Sequence, residues 1–300
     1  CYMNKERISV IIPTYNNEDS IEKCLKSVLN QSYQNLDVIV INDGSTDKTD
    51  EVLKKYKDRV QIYKKQNEGV ASARNLGLEK CNTKYLFFVD ADDYLEENAI
   101  EILYNKLIET NSDMVIGNIE DSSAKDITIK DDKYEYIFNQ KIKYFMVQWN
   151  KLMKKELFDG LKYPDVHIAE DEYMIYHILE RTNKITFVSK KTYNYCDNPN
   201  GITSKRLNYY QEILNVFKDR YVFFENTKYK EIFYKLYMNY YIYLYCQFKD
   251  NNITKKEIVT EFRKELKNNG NMKYMCFYIF PNLYYKVFKI RRRICKKRYQ

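Results

Sequence analysis

The apolar run Tyr85-Leu86-Phe87-Phe88-Val89 leads straight into Asp90-Ala91-Asp92-Asp93. An unbroken apolar run of this length predicts a strand covered on both faces. Three carboxylates within four residues at its end raise one another's pKa and oppose folding unless a cation sits among them. In extended geometry Asp90 and Asp92 point the same way. Carboxylate oxygens suit Mg²⁺ or Mn²⁺, ions that keep positions open for substrate phosphates. The plainer alternative is a charged turn that caps the next helix.

The surrounding pattern predicts where such a strand sits. Strands are expected at Ile8–Thr14, Leu36–Asn42, Val60–Tyr63, Tyr85–Asp90 and Met114–Gly117. Helices are expected between them, at 21–30, Thr46–Tyr56, Val70–Lys80 and Asn98–Asn111. Buried strands alternating with amphipathic helices predict parallel βαβ units, with right-handed crossovers that bring the strand C-termini to one edge. Ligands bind at that edge in such sheets. After Gly117 a polar hairpin or loop is expected at Ile119–Lys130, then a Tyr-rich helix at Lys133–Met146, a compact unit at Trp149–Phe158 and a helix at Asp171–Arg181. From about Asn208 the chain reads as helical, with Tyr and Phe in core positions. The expected division is 1–117, 118–205 as the second half of the same domain, and a helical region at 206–300.

Composition narrows the chemistry. The seven cysteines are widely spaced with no Cys-x-x-Cys pair, which argues against a zinc site or disulfide framework and fits a reducing cytosol. Two histidines cannot build a multi-histidine metal centre. No secretory signal and no membrane-spanning stretch is expected. After Glu265 the chain has ten Lys and Arg and no acidic residue, while the preceding residues are near neutral. Residues 272–298 interleave these cations with aromatic and aliphatic side chains, which suits the surface of an anionic membrane. Nucleic acid is not expected, because no recognised binding module accompanies the charge.

Four loops should meet at the strand ends: Pro13–Glu18, Asn42–Asp47, Asn67–Gly69 with Ala73-Arg74-Asn75, and the acidic turn at Asp90. An aromatic ring beside a proline can stack on a base, Asp43 can accept from a base or ribose, and Arg74 is a forked donor for phosphate or carbonyl oxygens. Together they describe a nucleoside-diphosphate site. No Gly-x-x-x-x-Gly-Lys-Ser/Thr motif, no Gly-x-Gly-x-x-Gly after the first strand and no serine elbow is present.

Ser9-Val10-Ile11-Ile12-Pro13-Thr14-Tyr15-Asn16, Asn42–Asp47, Asn67-Glu68-Gly69, Ala73-Arg74-Asn75 and Asp90–Asp93 resemble family-two glycosyltransferases of the bacterial surface-polysaccharide type. The likeness is specific over about residues 7–120 and looser through Trp149-Asn150-Lys151 and Glu170-Asp171-Glu172 to about Arg206. It implies a Rossmann-like α/β nucleotide-diphospho-sugar transferase (GT-A) fold with a C-terminal helical extension. It implies that Tyr15 stacks on uracil, that Pro13 and Thr14 line the base pocket, and that Asp43 accepts from the base. Asn67 and Arg74 would lie near base and ribose, and Asp90 would contact ribose or donor sugar. Asp92 would hold Mn²⁺ or Mg²⁺, and Asp93 would support the loop.

The same resemblance makes Asp171 the base that takes the proton from the acceptor hydroxyl, with inversion at the anomeric carbon. Glu170 would bind the acceptor or orient the loop, and Trp149 and Lys151 would serve acceptor binding or loop support. The acidic trio 170–172 can also simply complement a helix dipole. His167 is a candidate for an extra metal contact, and 193–206 resembles a loop that closes over the diphosphate. The implied activity is transfer from a nucleotide sugar, a UDP-sugar by preference, to a glycan or lipid-linked acceptor on the inner face of the cell membrane. A non-catalytic nucleotide-sugar-binding scaffold and a sugar nucleotidyltransferase are the other classes open to this sequence.

Overall fold

The computed structural model describes residues 5–139, 145–198, 201–253, 255–269, 274–287 and 289. Its strands are β1 (Ile8–Thr14), β2 (Leu36–Asn42), β3 (Gln61–Lys64), β4 (Tyr85–Phe88), β5 (Tyr94–Leu95), β6 (Met114–Asn118), β7 (Ile127–Ile129), β8 (Lys151–Lys154), β9 (Ile185–Lys191) and β10 (Tyr193–Asn194). Its helices are α1 (Ile21–Leu29), α2 (Thr49–Lys54), α3 (Val70–Lys80), α4 (Ala99–Thr110), α5 (Lys133–Asn139), α6 (Glu170–Arg181), α7 (Tyr210–Phe223), α8 (Lys230–Asp250), α9 (Lys256–Asn269) and α10 (Met275–Ile279). The chain divides into two compact units, Cys1–Ser204 and Lys205–Gln300.

In the first unit one sheet runs β3-β2-β1-β4-β8-β6-β9-β7. β1 pairs in parallel with β2 over seven residues, from Ile8 opposite Leu36 to Thr14 opposite Asn42. The two strands therefore end level, and the loops that follow them leave side by side. β3 is also parallel to β2, and β4 to β1. Every residue of β1 is buried, as the uninterrupted apolar run requires of a strand covered by helices on both faces. The covering helices are amphipathic. α1 buries Ile21, Cys24, Leu25 and Val28, and α4 buries Ala99, Ile100, Leu103, Tyr104 and Leu107. Each large aliphatic side chain so buried contributes about 1.5–3 kcal/mol.

Beyond β4 the sheet departs from the expected parallel order. β8 is antiparallel to both β4 and β6, with Phe87 opposite Leu152 and Ile116 opposite Lys151. The chain enters β8 from the edge where β1, β2 and β4 end, held there by a bridge between Phe88 and Trp149. An inverted strand thus delivers Trp149–Lys151 to the ligand edge. β9, parallel to β6, is an element that the apolar pattern leaves unmarked, because Thr186, Ser189 and Lys190 interrupt it. β7, three residues long, lies at the sheet edge within the expected loop. The acidic segment also differs: β4 stops at Phe88, and Asp90–Asp93 is a turn closed by the Asp93 N–H on the Asp90 carbonyl at 3.0 Å. Chain reversal, not extended geometry, brings these carboxylates together.

One helix is shorter than expected, and another is described only in part. α2 begins at Thr49 because Thr46 and Asp47 are engaged with the first loop. α5 is described only to Asn139, and residues 140–144 of the expected helix lie outside the described residues.

In the second unit α7, α8 and α9 are held by aromatic side chains. Phe224 stacks on Phe233 at 3.9 Å between ring centroids, and Phe262 meets Phe277 edge-on at 4.8 Å. Tyr237 and Tyr241, one turn apart on α8, share a buried hydrogen bond of 3.1 Å. This is the core role that the Tyr-rich sequence suggests.

Helix α3 turns small residues to the sheet: Ala71, Ala73 and Gly77 are buried. A Cβ added at Gly77 would lie 2.4 Å from Cγ2 of Ile11 on β1. Replacing a mid-helix glycine by alanine ordinarily gains about 1 kcal/mol, whereas overpacking a core costs about 1–3 kcal/mol. Gly77→Ala should therefore lower stability in urea unfolding; a variant as stable as the parent would show that α3 does not depend on this close approach.

Candidate active site

The loops after β1 and β2 are laced together by hydrogen bonds between side chains and backbone. Asn16, in a left-handed conformation, donates its N–H to Ser45 Oγ at 3.0 Å and accepts the Thr46 N–H at 2.8 Å. The N–H groups of Asn17 and Glu18 reach Thr49 Oγ1 and Asp47, and Glu18 accepts the Lys48 N–H. Thr14 and the Tyr15 N–H both donate to the Asn17 side chain. Pro13 and Thr14 are buried, while Tyr15 leaves its ring 44% exposed. That leaves an aromatic face free for stacking on a fixed backbone.

Asp43 joins the second loop to the third. Its buried carboxylate accepts from Lys65 Nζ at 2.9 Å, from the Glu68 N–H at 3.1 Å and from the Gly69 N–H at 2.8 Å. A carboxylate offers about four acceptor positions, so one more donor can be served. Gly44 has a φ of 74°, and a Cβ there would approach the Asn67 amide nitrogen to 2.8 Å. Only glycine fits both demands. Asn67 itself is exposed beside this contact.

Arg74 is the centre of the site. It leaves the sheet-facing side of α3 almost fully buried and donates through Nη1 to Glu170 and Asp171 and through Nη2 to Asp90 at 3.1 Å. Its guanidinium lies over the Tyr163 ring at 5.7 Å. Tyr163 is fastened to α3 by reciprocal bonds with Asn75: the Asn75 amide donates to the Tyr163 carbonyl and accepts its N–H. Three carboxylates share one cation, and burial together with Glu170 and Asp90 pushes Asp171 well above the usual carboxylate range despite Arg74. The second oxygen of Asp171 accepts the Gln148 N–H at 3.1 Å. Asp171 and Glu170 open α6, whose N-terminus favours negative charge. The preceding Ala169 is left-handed, φ 68°, which aims the two acids at Arg74.

In the acidic turn, Asp93 is buried and serves the backbone: it accepts from Tyr193 Oη at 2.8 Å and from the Cys196 N–H at 2.7 Å. Burial and the Asp90 charge push its pKa up to about 7. Tyr193 Oη also accepts the Asp90 N–H. Asp92 is half-buried, accepts from Asn198 Nδ2 at 3.2 Å, and is likewise raised by burial and by Asp90. Trp149 stacks on Tyr193 at 4.5 Å, and Lys151 is fully buried at the start of β8. His167 is exposed. Among the described residues no three His, Cys, Asp or Glu side chains form a ready metal-binding group. Of the expected closing loop, Tyr193–Asn198 is described, residues 199–200 lie outside the described residues, and the side chains of Ile202, Thr203 and Ser204 are likewise not described.

The structure therefore brings Asp90, Glu170, Asp171 and Arg74 into direct contact and sets Asp92 and Asp93 in the adjoining turn. Tyr15 and Asn67 stand separately, on the loops joined through Asp43. Tyr163, Gln148 and Tyr193 are parts of this assembly that sequence patterns do not single out. Asn75, inside the Ala-Arg-Asn motif, is the only local signal for Tyr163.

The sequence model of glycosyl transferase family 2 matches residues 9–177, which contain the loops after β1, β2 and β3, the acidic turn and the start of α6. The chain belongs to that family. It is 30% identical over 239 residues to glycosyltransferase GlyG of Streptococcus pneumoniae serotype 4, covering 72% of this chain and 79% of that protein. It is 31% identical over 211 residues to glycosyltransferase GlyA of the same organism, covering 63% of this chain but 30% of GlyA, so it matches less than a third of that longer relative. The fold resembles Staphylococcus aureus TarS 1–349, solved with UDP-GlcNAc, at a TM-score of 0.67 and 20% identity over 86% of this chain and 81% of that one. It also resembles the mannosyltransferase PcManGT of Pyrobaculum calidifontis, solved with GDP-Man and Mn²⁺, at a TM-score of 0.59 and 16% identity over 92% and 84% of the two chains. The family-two chain has the mixed α/β sheet of the A-type glycosyltransferase fold, followed by C-terminal helices.

Removing the Arg74 cation leaves three neighbouring carboxylates without their partner. Breaking a buried ion pair in this way costs about 3–5 kcal/mol. In Arg74→Met, Asp171, raised by burial even with Arg74 beside it, loses the cation that opposes that rise, so the native state gains protons as pH falls and stability recovers. Urea unfolding should show a larger loss at pH 8 than at pH 5. An equal loss at both would mean that the carboxylates do not depend on Arg74 for their charge.

Proposed function

We propose that this family-two member is an inverting glycosyltransferase that moves a sugar from a UDP-sugar to a hydroxyl of a glycan or lipid-linked acceptor in surface-glycan assembly. The observation that carries the reading is Asp171, a carboxylate of raised pKa held beside the acidic turn at the ligand edge of the sheet. A carboxylate whose proton affinity is raised in this way is a stronger base than a free one. The solved complex of TarS with UDP-GlcNAc supports a UDP-sugar as donor.

In this reading residues 1–117 bind the donor, 118–205 bind the acceptor and supply the base, and 206–300 form a helical region. Tyr15 stacks on the uracil above Pro13 and Thr14. Asp43 uses its remaining acceptor position for the base, with Asn67 beside it. Asp90 meets the ribose or donor sugar and is held in place by Arg74. Asp171 takes the acceptor proton as the acceptor oxygen attacks the anomeric carbon from the side opposite the diphosphate. Glu170 and Trp149 flank the acceptor or its loop, and Asp93 keeps the acidic turn folded.

The acidic turn fits a divalent ion. Asp92 is a hard oxygen donor, half-buried, and raised by burial and by its neighbour Asp90, whose repulsion a cation relieves. Asp92 would hold Mn²⁺ or Mg²⁺, which when bound supplies Lewis-acid neutralisation of the departing diphosphate. The Mn²⁺ of PcManGT is consistent with this choice.

Calorimetry with UDP, GDP, CDP and ATP, each with Mn²⁺, Mg²⁺ or EDTA, should give metal-dependent binding selective for UDP. Asp171→Asn should lower turnover by about 10³-fold, within the range expected for a general base, and leave the UDP dissociation constant within about threefold. Near-normal turnover would remove Asp171 from the mechanism.

The second unit suits attachment to the cytoplasmic face of an anionic membrane. No helix of the described residues is long and apolar enough to cross one. Met275, Ile279, Phe280, Leu283 and Val287 are nonetheless exposed together along 275–287. Lys286 and Lys289 stand among them, while Lys273 and the six cations from Arg291 to Arg298 lie outside the described residues. Apolar side chains and cations of this kind bind anionic interfaces additively. The protein should float with phosphatidylglycerol vesicles and not with phosphatidylcholine, and should lose binding in high salt or on deletion of 286–300. Retention of full binding after that deletion would exclude the assignment.

A further inference from the structure

Lys151 is 0% exposed. Lysine is almost never buried so completely unless its charge is paired, and an ammonium removed from water costs several kcal/mol. Burial pushes its pKa down to about 7, with the negative charge of Asp171 acting in the opposite sense. The contacts of its head show what it organises. Nζ donates to the Val147 carbonyl at 2.5 Å and lies 3.4 Å from the Trp149 carbonyl, so it holds the peptide group that precedes Gln148 and the one that follows Trp149. The Phe145 ring lies 5.7 Å away and closes the pocket around it.

The segment it holds is irregular. Asn150 is left-handed, φ 61°, and accepts from Thr192 Oγ1 at 2.6 Å. The Gln148 side chain is fully buried, and neither end of its amide has a partner among the described residues. The position of residue 148 therefore depends on its backbone. That backbone N–H is the one that donates to Asp171 Oδ2, and the next side chain, Trp149, stacks on the Tyr193 ring whose hydroxyl donates to Asp93.

We infer that Lys151 is a positioning residue: by holding the Val147 and Trp149 carbonyls it fixes the Gln148 N–H on Asp171 and the Trp149 ring against the support of the acidic turn. It acts through the backbone on the base without touching the donor loops of β1, β2 and α3. The inference rests on the reading of Asp171 as the base. Among the described residues, the charged and titratable groups that face Asp171 are Arg74 of α3, Asp90 of the acidic turn, its neighbour Glu170 on α6, Tyr163 of the segment before α6, and Lys151 itself.

Lys151→Met keeps the length and apolar stem of the side chain and removes both the donor and the charge. In the full chain it should lower kcat by about 10–100-fold, the scale of a misplacement near 1 Å. The KM for the UDP-sugar and the affinity for UDP should stay within about threefold. The acidic limb of the kcat–pH profile should move to higher pH, because Asp171 loses a nearby cation and its fixed N–H donor. Lys151→Gln, which retains an N–H donor, supplies the same readouts if the methionine variant does not fold. A kcat within twofold of the parent, or a loss of kcat matched by loss of UDP affinity with an unmoved acidic limb, would overturn the inference. Asp171→Asn in the same assay separates the two readings. If it is active, the base assignment fails; if it is inactive while Lys151→Met behaves as the parent does, the role of Lys151 alone is wrong.

Discussion

One guanidinium among three carboxylates is the interaction on which the rest of this site depends. Arg74 comes from α3, Asp90 from the turn after β4, and Glu170 and Asp171 from the start of α6. These segments are far apart in sequence, and nothing but the fold brings them within reach. The cation offsets only part of the repulsion it gathers. The excess negative charge falls on Asp171, whose proton affinity rises as its neighbours press on it. Positioning and tuning of this acid are thus one physical effect, set by burial and by the ratio of charges.

The donor side is built on a different principle. Its loops carry little net cost, because nearly every polar group is matched to a backbone group of the adjacent loop. The level ends of β1 and β2 set the Asn16, Asn17 and Glu18 amides opposite Ser45, Thr49 and Asp47. Asp43 then ties the second loop to the third, and Gly44 lets the two backbones touch. A tied edge of this kind leaves the Tyr15 and Asn67 side chains exposed on a fixed backbone, which lowers the ordering cost of binding any ligand there.

Much of this is legible in the amino-acid sequence. The strands Ile8–Thr14 and Leu36–Asn42 and the helix Val70–Lys80 follow from apolar runs and helical spacing, because each is dictated by local burial on a known period. The loops that follow them carry the motifs that point to a nucleotide sugar. The reversal of β8 and the presence of β9 were not legible. Strand direction is decided by which edge the chain reaches after a long connection, and β9 has too few consecutive apolar residues to announce itself. The same limit explains Gln148, Tyr163 and Tyr193. Gln148 acts through its backbone N–H and Tyr193 through a hydroxyl whose partners are a hundred residues away.

The sequence alone determined the chemistry available: acidic residues at the end of a buried strand, an aromatic ring beside a proline, a forked cation in a helix of small residues, and a basic C-terminal region. Residue type and short-range period suffice for that, since both are properties of neighbouring positions. The tertiary structure decided which of these groups meet. It gave Arg74 to the carboxylates, turned Asp90–Asp93 back on itself, and buried Lys151 behind the peptide that faces Asp171. Those outcomes depend on strand order, on the inversion of one strand and on the depth of burial, and each of these is set by contacts between residues that no local pattern relates.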